Sequence, residues 1–226
     1  MEIIAHIRND FPTKFGLPRQ SGLVPELVST IVFEPEYRVA EALRGIETYS
    51  HLWVIWGFHQ AVREGENQGW RPTVRPPRLG GNTRLGVFAT RSPFRPNPLG
   101  LTVVKLLQVA DSPEGKVLVV ACADMMDGTP IYDIKPYLPY VDSIPDAVGG
   151  FTQEKAGYHL TVDFPAELLE KIPPNQQETL LGVLAQDPRP AYQHDDSRVY
   201  GLPYGGWDVR FTVREGVLTV VELRQE

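Results

Sequence analysis

Between Trp70 and Gly100 the chain reads WRPTVRPPRLGGNTRLGVFATRSPFRPNPLG, and this stretch limits the fold more than any other. It holds six arginines (Arg71, Arg75, Arg78, Arg84, Arg91, Arg95), six prolines and four glycines, with no acidic residue and no lysine. Proline fixes φ and glycine opens positive φ, so such a segment follows a locally dictated path and not a regular ladder. Planar guanidinium forks on that backbone are ready donors to carboxylate or phosphate. A plainer reading is a structural loop whose arginines cover apolar surface and pair with nearby acids. The chain as a whole carries a net charge of −6 from 22 basic and 28 acidic residues. Outside 70–100 the balance is therefore 16 basic against 28 acidic residues. An anionic partner is expected to meet one patch and be repelled elsewhere.

With 226 residues, 42% of them hydrophobic, the chain can bury a substantial core. One cysteine, Cys122, cannot form an internal disulfide and fits a reducing compartment. The start MEIIAHIRNDF lacks a signal-peptide layout, and no apolar run approaches a bilayer span. A soluble, cytoplasmic protein without a membrane association is expected.

Apolar, β-branched runs predict strands at Ile3–Ile7, Leu27–Phe33, His51–His59, Leu101–Val109 and Lys116–Ala123, the last two as a hairpin. Glu36–Ile46 has apolar residues at helical spacing and predicts a short helix. Asp124–Gly150 reads as a structured loop with interleaved Ile131, Ile134, Leu138 and Val141. Composition changes near residue 150. Beyond it come a strand at Tyr158–Phe164, helices at Pro165–Ile172 and Pro174–Ala185, a Pro/Tyr-rich loop at Asp187–Tyr204, and a hairpin of Trp207–Val213 with Val217–Leu223. The expected organisation is mainly β, with a strand-dominated unit over 1–150 and a small α+β unit over 151–226.

Several chemistries lack their motifs. There is no G-x-G-x-x-G turn, P-loop or G-x-S-x-G elbow. The five histidines, at 6, 51, 59, 159 and 194, have no ligand spacing, so no metal is expected. Cys122, inside VVACADM, reads as a buried core thiol. Three polar loops remain: Lys14–Gln20, Arg71–Asn97 and Asp124–Tyr140. A barrel or strongly bent sheet could gather them at one end. The pocket would combine Arg and Gln donors, an aspartate-bearing wall (Asp124, Asp127, Asp133) and aromatic faces (Phe58, Phe94, Tyr137). It would suit a ligand with a carboxylate, a positive centre and an aromatic base. Asp127–Pro130 equally reads as an ordinary turn, and Asp133 with Lys135 as a surface ion pair.

The strings KFGLPRQSGLVPE, GIETYSHLWVIWGFH, WRPTVRPPRLGGNTRLGVFATRSPFRPNPLGLT and DGTPIYDIKPYLPYVDS resemble the signature segments of the TrmO family of tRNA methyltransferases. QDPRPAY, YGLPYG and WDVRFTV resemble the C-terminal extension of its bacterial members. The resemblance implies a single-sheeted β-barrel over 1–150 that binds S-adenosylmethionine, a homodimer, and methylation of the exocyclic nitrogen of threonylcarbamoyladenosine beside the anticodon of a threonine tRNA. It implies a cofactor pocket of Pro18, Arg19, Gln20, His59, Gln60, Arg91, Leu101, Asp127, Gly128, Thr129 and Pro130. In that setting Arg19 or Arg91 would hold the cofactor carboxylate, and Asp127 its ribose or ammonium. Arg95 and Asn97 would hold the modified base, Arg71, Arg75, Arg78 and Arg84 the phosphates, with Lys135 also on the substrate side. Asp133, His59 and Tyr137 are the candidates for taking the acceptor's proton. A non-catalytic RNA-binding barrel and an S-adenosylmethionine sensor are the competing readings. The aspartate-rich DGTPIYDIKPY loop argues against phosphate binding alone.

Overall fold

The computed structural model describes residues 1–59, 70–76, 79, 82–155, 157–189 and 195–225. The first part of the chain forms β1 (Ala5–Arg8), β2 (Val28–Phe33), β3 (His51–Gly57), β4 (Thr73–Val74), β5 (Leu85–Gly86), β6 (Leu99–Ser112), β7 (Gly115–Ala121) and β8 (Pro130–Pro136), then the one-turn helix α1 (Pro139–Asp142). Six of these strands pair antiparallel in the order β1-β2-β7-β6-β3-β8, and β1 pairs with both β2 and β8, so the ladder closes on itself. Alternation accounts for what lies inside. Leu52, Val54 and Trp56 are buried, while Trp53 and Ile55 between them face outward and are partly exposed. With Ala5, Ile7, Ile31, Val104, Leu118, Val120 and Ile131 they fill the interior. Each large side chain so buried contributes about 1.5–3 kcal/mol.

Antiparallel closure decides which loops meet. The connections 9–27, 58–98 and 122–129 all leave from one end of the closed sheet. Segments 34–50 and 113–114, and the chain after Pro136, lie at the other end. The first two polar loops and the 124–129 part of the third thus leave from one end, whereas Tyr137–Tyr140, expected with them, lie at the other.

Three expectations need correction. Glu36–Ile46 is no helix; it lies among three separate 3₁₀ turns, Pro35–Tyr37, Ala40–Leu43 and Ile46–Thr48. Val39 and Arg44 are extended and Gly45 is left-handed, so the helical bonds never propagate past one turn. The stretch read as a loop from Asp124 contains β8, the strand that closes the ladder. Its prolines stand only at the two ends, Pro130 and Pro136, where the missing N–H does least damage. Cys122 is half-exposed, with φ of 69°, at the end of β7.

The remainder forms β9 (Thr161–Asp163), α2 (Ala166–Leu169), α3 (Pro174–Ala185), β10 (Tyr200–Tyr204), β11 (Trp207–Arg214) and β12 (Val217–Gln225). The sheet order is β10-β11-β12-β9, with β9 parallel to β12. β10 falls within the segment expected as a loop; it is an edge strand, where Pro203 is tolerated.

One continuous core joins both sheets. Segment 9–27 lies at the junction. Phe11 meets Tyr204 edge to face at 5.2 Å. The Thr179 hydroxyl donates to the Glu26 carbonyl at 2.7 Å, and the Gly205 amide to that of Asp10 at 3.1 Å. Gly182 has no Cβ, which lets α3 approach; an added methyl would stand 2.9 Å from Val24. The second sheet therefore supports the first of the three gathered loops.

Candidate active site

The site is built on a polar relay under the loops. Trp56 lies across Gly100 on the neighbouring strand, so closely that a Cβ at residue 100 would stand 2.1 Å from the indole. That fit directs the indole N–H to Thr102 Oγ1 at 2.9 Å. The Thr102 hydroxyl in turn donates to Asp124 Oδ1 at 2.7 Å. The carboxyl of Asp124 is largely removed from water, although the residue keeps some surface exposure. Burial pushes its pKa above the ordinary aspartate range, against the opposing pull of Thr102, its own amide, the Arg91 charge and the Ser21 amide. Asp124 therefore bonds within its own loop and to the Ser21 amide, and feels the charge of Arg91 from the arginine loop.

Around this carboxylate stand several residues of the expected cofactor set. Arg91 Nη1 donates to Gln20 Oε1, coupling the arginine loop to the Pro18–Ser21 corner. That corner is held from below, because the Ser21 hydroxyl donates to the Val103 carbonyl at 2.8 Å. Pro18 is buried, whereas Arg19 is exposed. The Arg19 guanidinium donates to the Arg189 carbonyl at 3.0 Å. Arg189 is itself buried and locked to Asp187 by two bonds, at 2.8 and 2.9 Å. Burial alone would raise the Asp187 carboxyl, but bonding and charge from Arg189 hold it below the usual range. Thr102, Asp187 and Arg189 were not singled out in sequence: the partners of Thr102 lie 46 and 22 residues away, and the local Asp187–Arg189 pair gains its role only through the Arg189 carbonyl that accepts from Arg19, 170 residues distant.

The Asp127–Pro130 turn stands at the same end. Its amides are engaged: Asp127 N–H donates to Phe11, Gly128 N–H to Ile7 and Thr129 N–H to Met126, and the Thr129 hydroxyl also donates to Met126. Gly128 has φ of 73°. The turn can therefore offer a ligand acceptors, chiefly the exposed Asp127 carboxylate, one oxygen of which accepts from the Asn9 amide. His59 is exposed just past β3, at the loop end. Gln60 and Arg78 lie outside the described residues.

Other expected residues are placed elsewhere. Leu101 is exposed on the outer face of β6, and the register Leu101–Ile55–Asp133 puts it in one outward row with Asp133. Asp133 pairs with Lys135 at 2.6 Å, both substantially exposed. Tyr137 does not join the loops. Its amide donates to the His51 carbonyl at the start of β3, so the length of β3, roughly 20 Å, separates it from them. In one protomer Tyr137 cannot act with Arg91 or Asp124.

Within the arginine loop, β4 and β5 form a two-stranded ribbon with Thr73 opposite Gly86 and Val74 opposite Leu85. Arg75 follows Val74 and Arg84 precedes Leu85, so both leave the ribbon at the same end, and both are exposed. Like charges gathered at one end of a ribbon repel, and an anion between them would relieve this. Arg71 lies over the Phe94 ring at 5.9 Å. Arg95, expected with Asn97 to hold the base, is engaged within its own loop. Its guanidinium donates to the carbonyls of Ser92 (3.0 Å), Val87 (3.2 Å) and Thr90 (2.6 Å), so it holds its own loop together. Asn97 stays exposed. Among the described residues no cluster of three or more His, Cys, Asp or Glu could hold a metal, and no helix is long and apolar enough to cross a membrane.

This is a mainly β protein with guanidinium and amide side chains gathered at one end above a largely buried carboxyl group. Residues 6–143 match the tRNA-methyltransferase O N-terminal domain, and residues 158–226 the TrmO C-terminal domain. The chain belongs to the TrmO family. It is 46% identical over 219 residues to the tRNA (adenine(37)-N6)-methyltransferase of Escherichia coli K12, covering 94% of this chain and 91% of that one. It is 39% identical to RcsF of Pseudomonas aeruginosa, a protein classed by name among S-adenosylmethionine-dependent methyltransferases, over 92% of this chain and 90% of the relative. The crystal structure of TrmO from Pseudomonas aeruginosa superposes with a TM-score of 0.77 at 32% identity, covering 98% and 97% of the two chains.

Proposed function

We propose that this chain is an S-adenosylmethionine-dependent tRNA methyltransferase acting on the exocyclic nitrogen of threonylcarbamoyladenosine beside the anticodon. The observation that carries the reading is the meeting of Arg91, Gln20 and the buried Asp124 at the end from which the acid-free arginine loop projects. The donor set suits the cofactor, with guanidinium groups for a carboxylate and the Asp127 acceptor for an ammonium or ribose hydroxyl. When bound, S-adenosylmethionine supplies an electrophilic methyl group, and no metal is required for its displacement.

The chain's own part is alignment and proton removal. Arg19 and Arg91 hold the carboxylate end. The Asp127–Pro130 turn fixes the sugar end, and the Pro18–Ser21 corner shapes the wall between them. His59 is the base favoured within one protomer, because it shares the loop end. A homodimer contact over the outward row of Leu101, Ile55 and Asp133 would bring Leu101 and Asp133 toward a neighbouring copy's loops. In this reading residues 1–150 form a single-sheeted barrel that carries the chemistry. Residues 151–226 hold the Arg19 loop in place, and the protein works in the cytoplasm, where its tRNA is found.

The test is mass spectrometry of nucleosides from tRNA incubated with the protein and methyl-labelled S-adenosylmethionine. Label on threonylcarbamoyladenosine is expected. Cofactor binding without label on fully modified tRNA would overturn the catalytic reading in favour of a sensor, and RNA binding without cofactor binding would favour a non-catalytic barrel.

A further inference from the structure

Arg95 spends its guanidinium on a turn that presents one large apolar side chain to water. Within Val87–Ala89, Val87 is buried at 1% exposure while Phe88 is 78% exposed. The turn is fastened from several sides. The Val87 carbonyl accepts from the Thr90 amide (3.1 Å), the Thr90 hydroxyl (2.9 Å) and Arg95 (3.2 Å), and the Val87 amide donates to the Pro72 carbonyl at 3.0 Å. Arg95 also binds the carbonyls of Thr90 and Ser92. Turning Phe88 inward would break these bonds and pull Val87 from the core. The ring is held outward by construction. Single exposed apolar residues are common on protein surfaces; here six hydrogen bonds fix the backbone of the turn that carries the ring.

The surroundings indicate what the ring meets. The Val87-to-Pro72 bond carries the ribbon one rung past Thr73–Gly86, so Arg71 and Phe88 are the residues that leave the ribbon at that end, Phe88 within the turn Val87–Ala89. Arg71 itself covers Phe94. Arg75 and Arg84 leave the ribbon at its other end, four residues from Arg71 and Phe88 respectively, and no acidic residue occurs from Trp70 to Gly100. A flat aromatic face amid fixed positive charge matches a ligand that alternates π-surface with anionic links, which is single-stranded nucleic acid.

We infer that Phe88 is a stacking platform for an unpaired base of the RNA substrate, flanked by Arg71 and by the Arg75–Arg84 pair on its phosphates. The assignment rests on the tRNA methyltransferase reading and adds to it a contact by which the anticodon loop is held open.

The experiment compares wild type, Phe88→Ala, Phe88→Trp and Phe88→Leu in the full chain. It measures affinity for a stem-loop RNA carrying the anticodon loop of a threonine tRNA across a salt series, S-adenosylmethionine affinity, labelled methyl transfer to tRNA, and oligomeric state. Phe88→Ala is expected to weaken RNA binding roughly 5- to 100-fold, leaving the salt slope and cofactor affinity unchanged, because no phosphate contact is lost. Phe88→Trp is expected to restore binding and Phe88→Leu is not. Wild-type RNA affinity in Phe88→Ala, with methylation by the wild type intact, overturns the platform and leaves the function standing. Equal rescue by Leu and Trp overturns stacking in favour of simple apolar contact. A changed oligomeric state with unchanged RNA affinity makes Phe88 a contact between copies and also overturns it. Failure of the wild type both to bind and to methylate tRNA overturns the function and the platform together.

Discussion

Replacing Thr102 with valine keeps the shape of a strand residue that is 3% exposed and removes only the hydroxyl on which two hydrogen bonds converge. The indole N–H of Trp56, a residue 6% exposed, loses its acceptor. An unmatched buried donor costs about 1–3 kcal/mol. Asp124 loses a 2.7 Å bond to a charged acceptor, of a kind that contributes about 1.5–3 kcal/mol. Because Asp124 keeps the Ser21 amide and its own, the combined loss should be about 2–4 kcal/mol, toward the lower part of the sum. For a chain of this size that lowers Tm by about 4–16 °C. Calorimetry or urea unfolding measures it, and Thr102→Ser, which keeps the hydroxyl, should recover most of the loss. A cycle with Asp124→Asn should show about 0.5–3 kcal/mol of coupling. If Thr102→Val melts with the wild type, or Thr102→Ser is the less stable of the two, the relay from Gly100 to Asp124 does not hold the site.

Two further predictions concern titration. Burial holds the Asp124 carboxyl above its ordinary value, so the folded chain binds that proton more tightly than the unfolded chain. Its contribution to stability is therefore most favourable below the unfolded value of about 3.9 and declines as pH rises through the folded pKa. Asp124→Asn should flatten that part of the stability–pH curve while weakening cofactor binding, and an unchanged curve would contradict the burial. Asp187 has the opposite sign, since Arg189 holds its carboxyl down despite burial. Its contribution is present above about pH 3.9 and is lost as pH falls through the lower folded pKa. Asp187→Asn should remove this acid-side loss and loosen the Arg19 loop, read as a raised KM for S-adenosylmethionine with kcat little altered. A fall in kcat alone would assign Asp187 another role.

The second sheet thus has a physical reason to accompany the first. Segment 9–27 contains no strand, and several of its backbone carbonyls are matched from the other unit by Thr179, Gly205 and Gln186. With a net charge of −5 over 151–226, that unit is ill suited to grip RNA directly. Its contacts fall on the loop that carries Arg19 and Gln20.

Local chemistry was enough to read some of this from the sequence alone. The acid-free arginine stretch, the strand runs from Leu27 to Ala123, helix α3 at its observed bounds and the final hairpin all follow from short-range patterning. Long, unusual strings pointed to the family. Tertiary structure decided the rest. Six closed antiparallel strands put three loops at one end and Tyr137 at the other, a consequence of strand direction that no single segment carries. Arg95 turned inward because nearby carbonyls needed donors, leaving Phe88 outside. Thr102 found Asp124 across 22 residues because β6 and β7 are paired neighbours, and a glycine at 100 left Trp56 room to reach the same hydroxyl. Backbone preference acts over a few residues; where an arginine or carboxylate points is settled by what closure of the sheet brings within hydrogen-bonding reach.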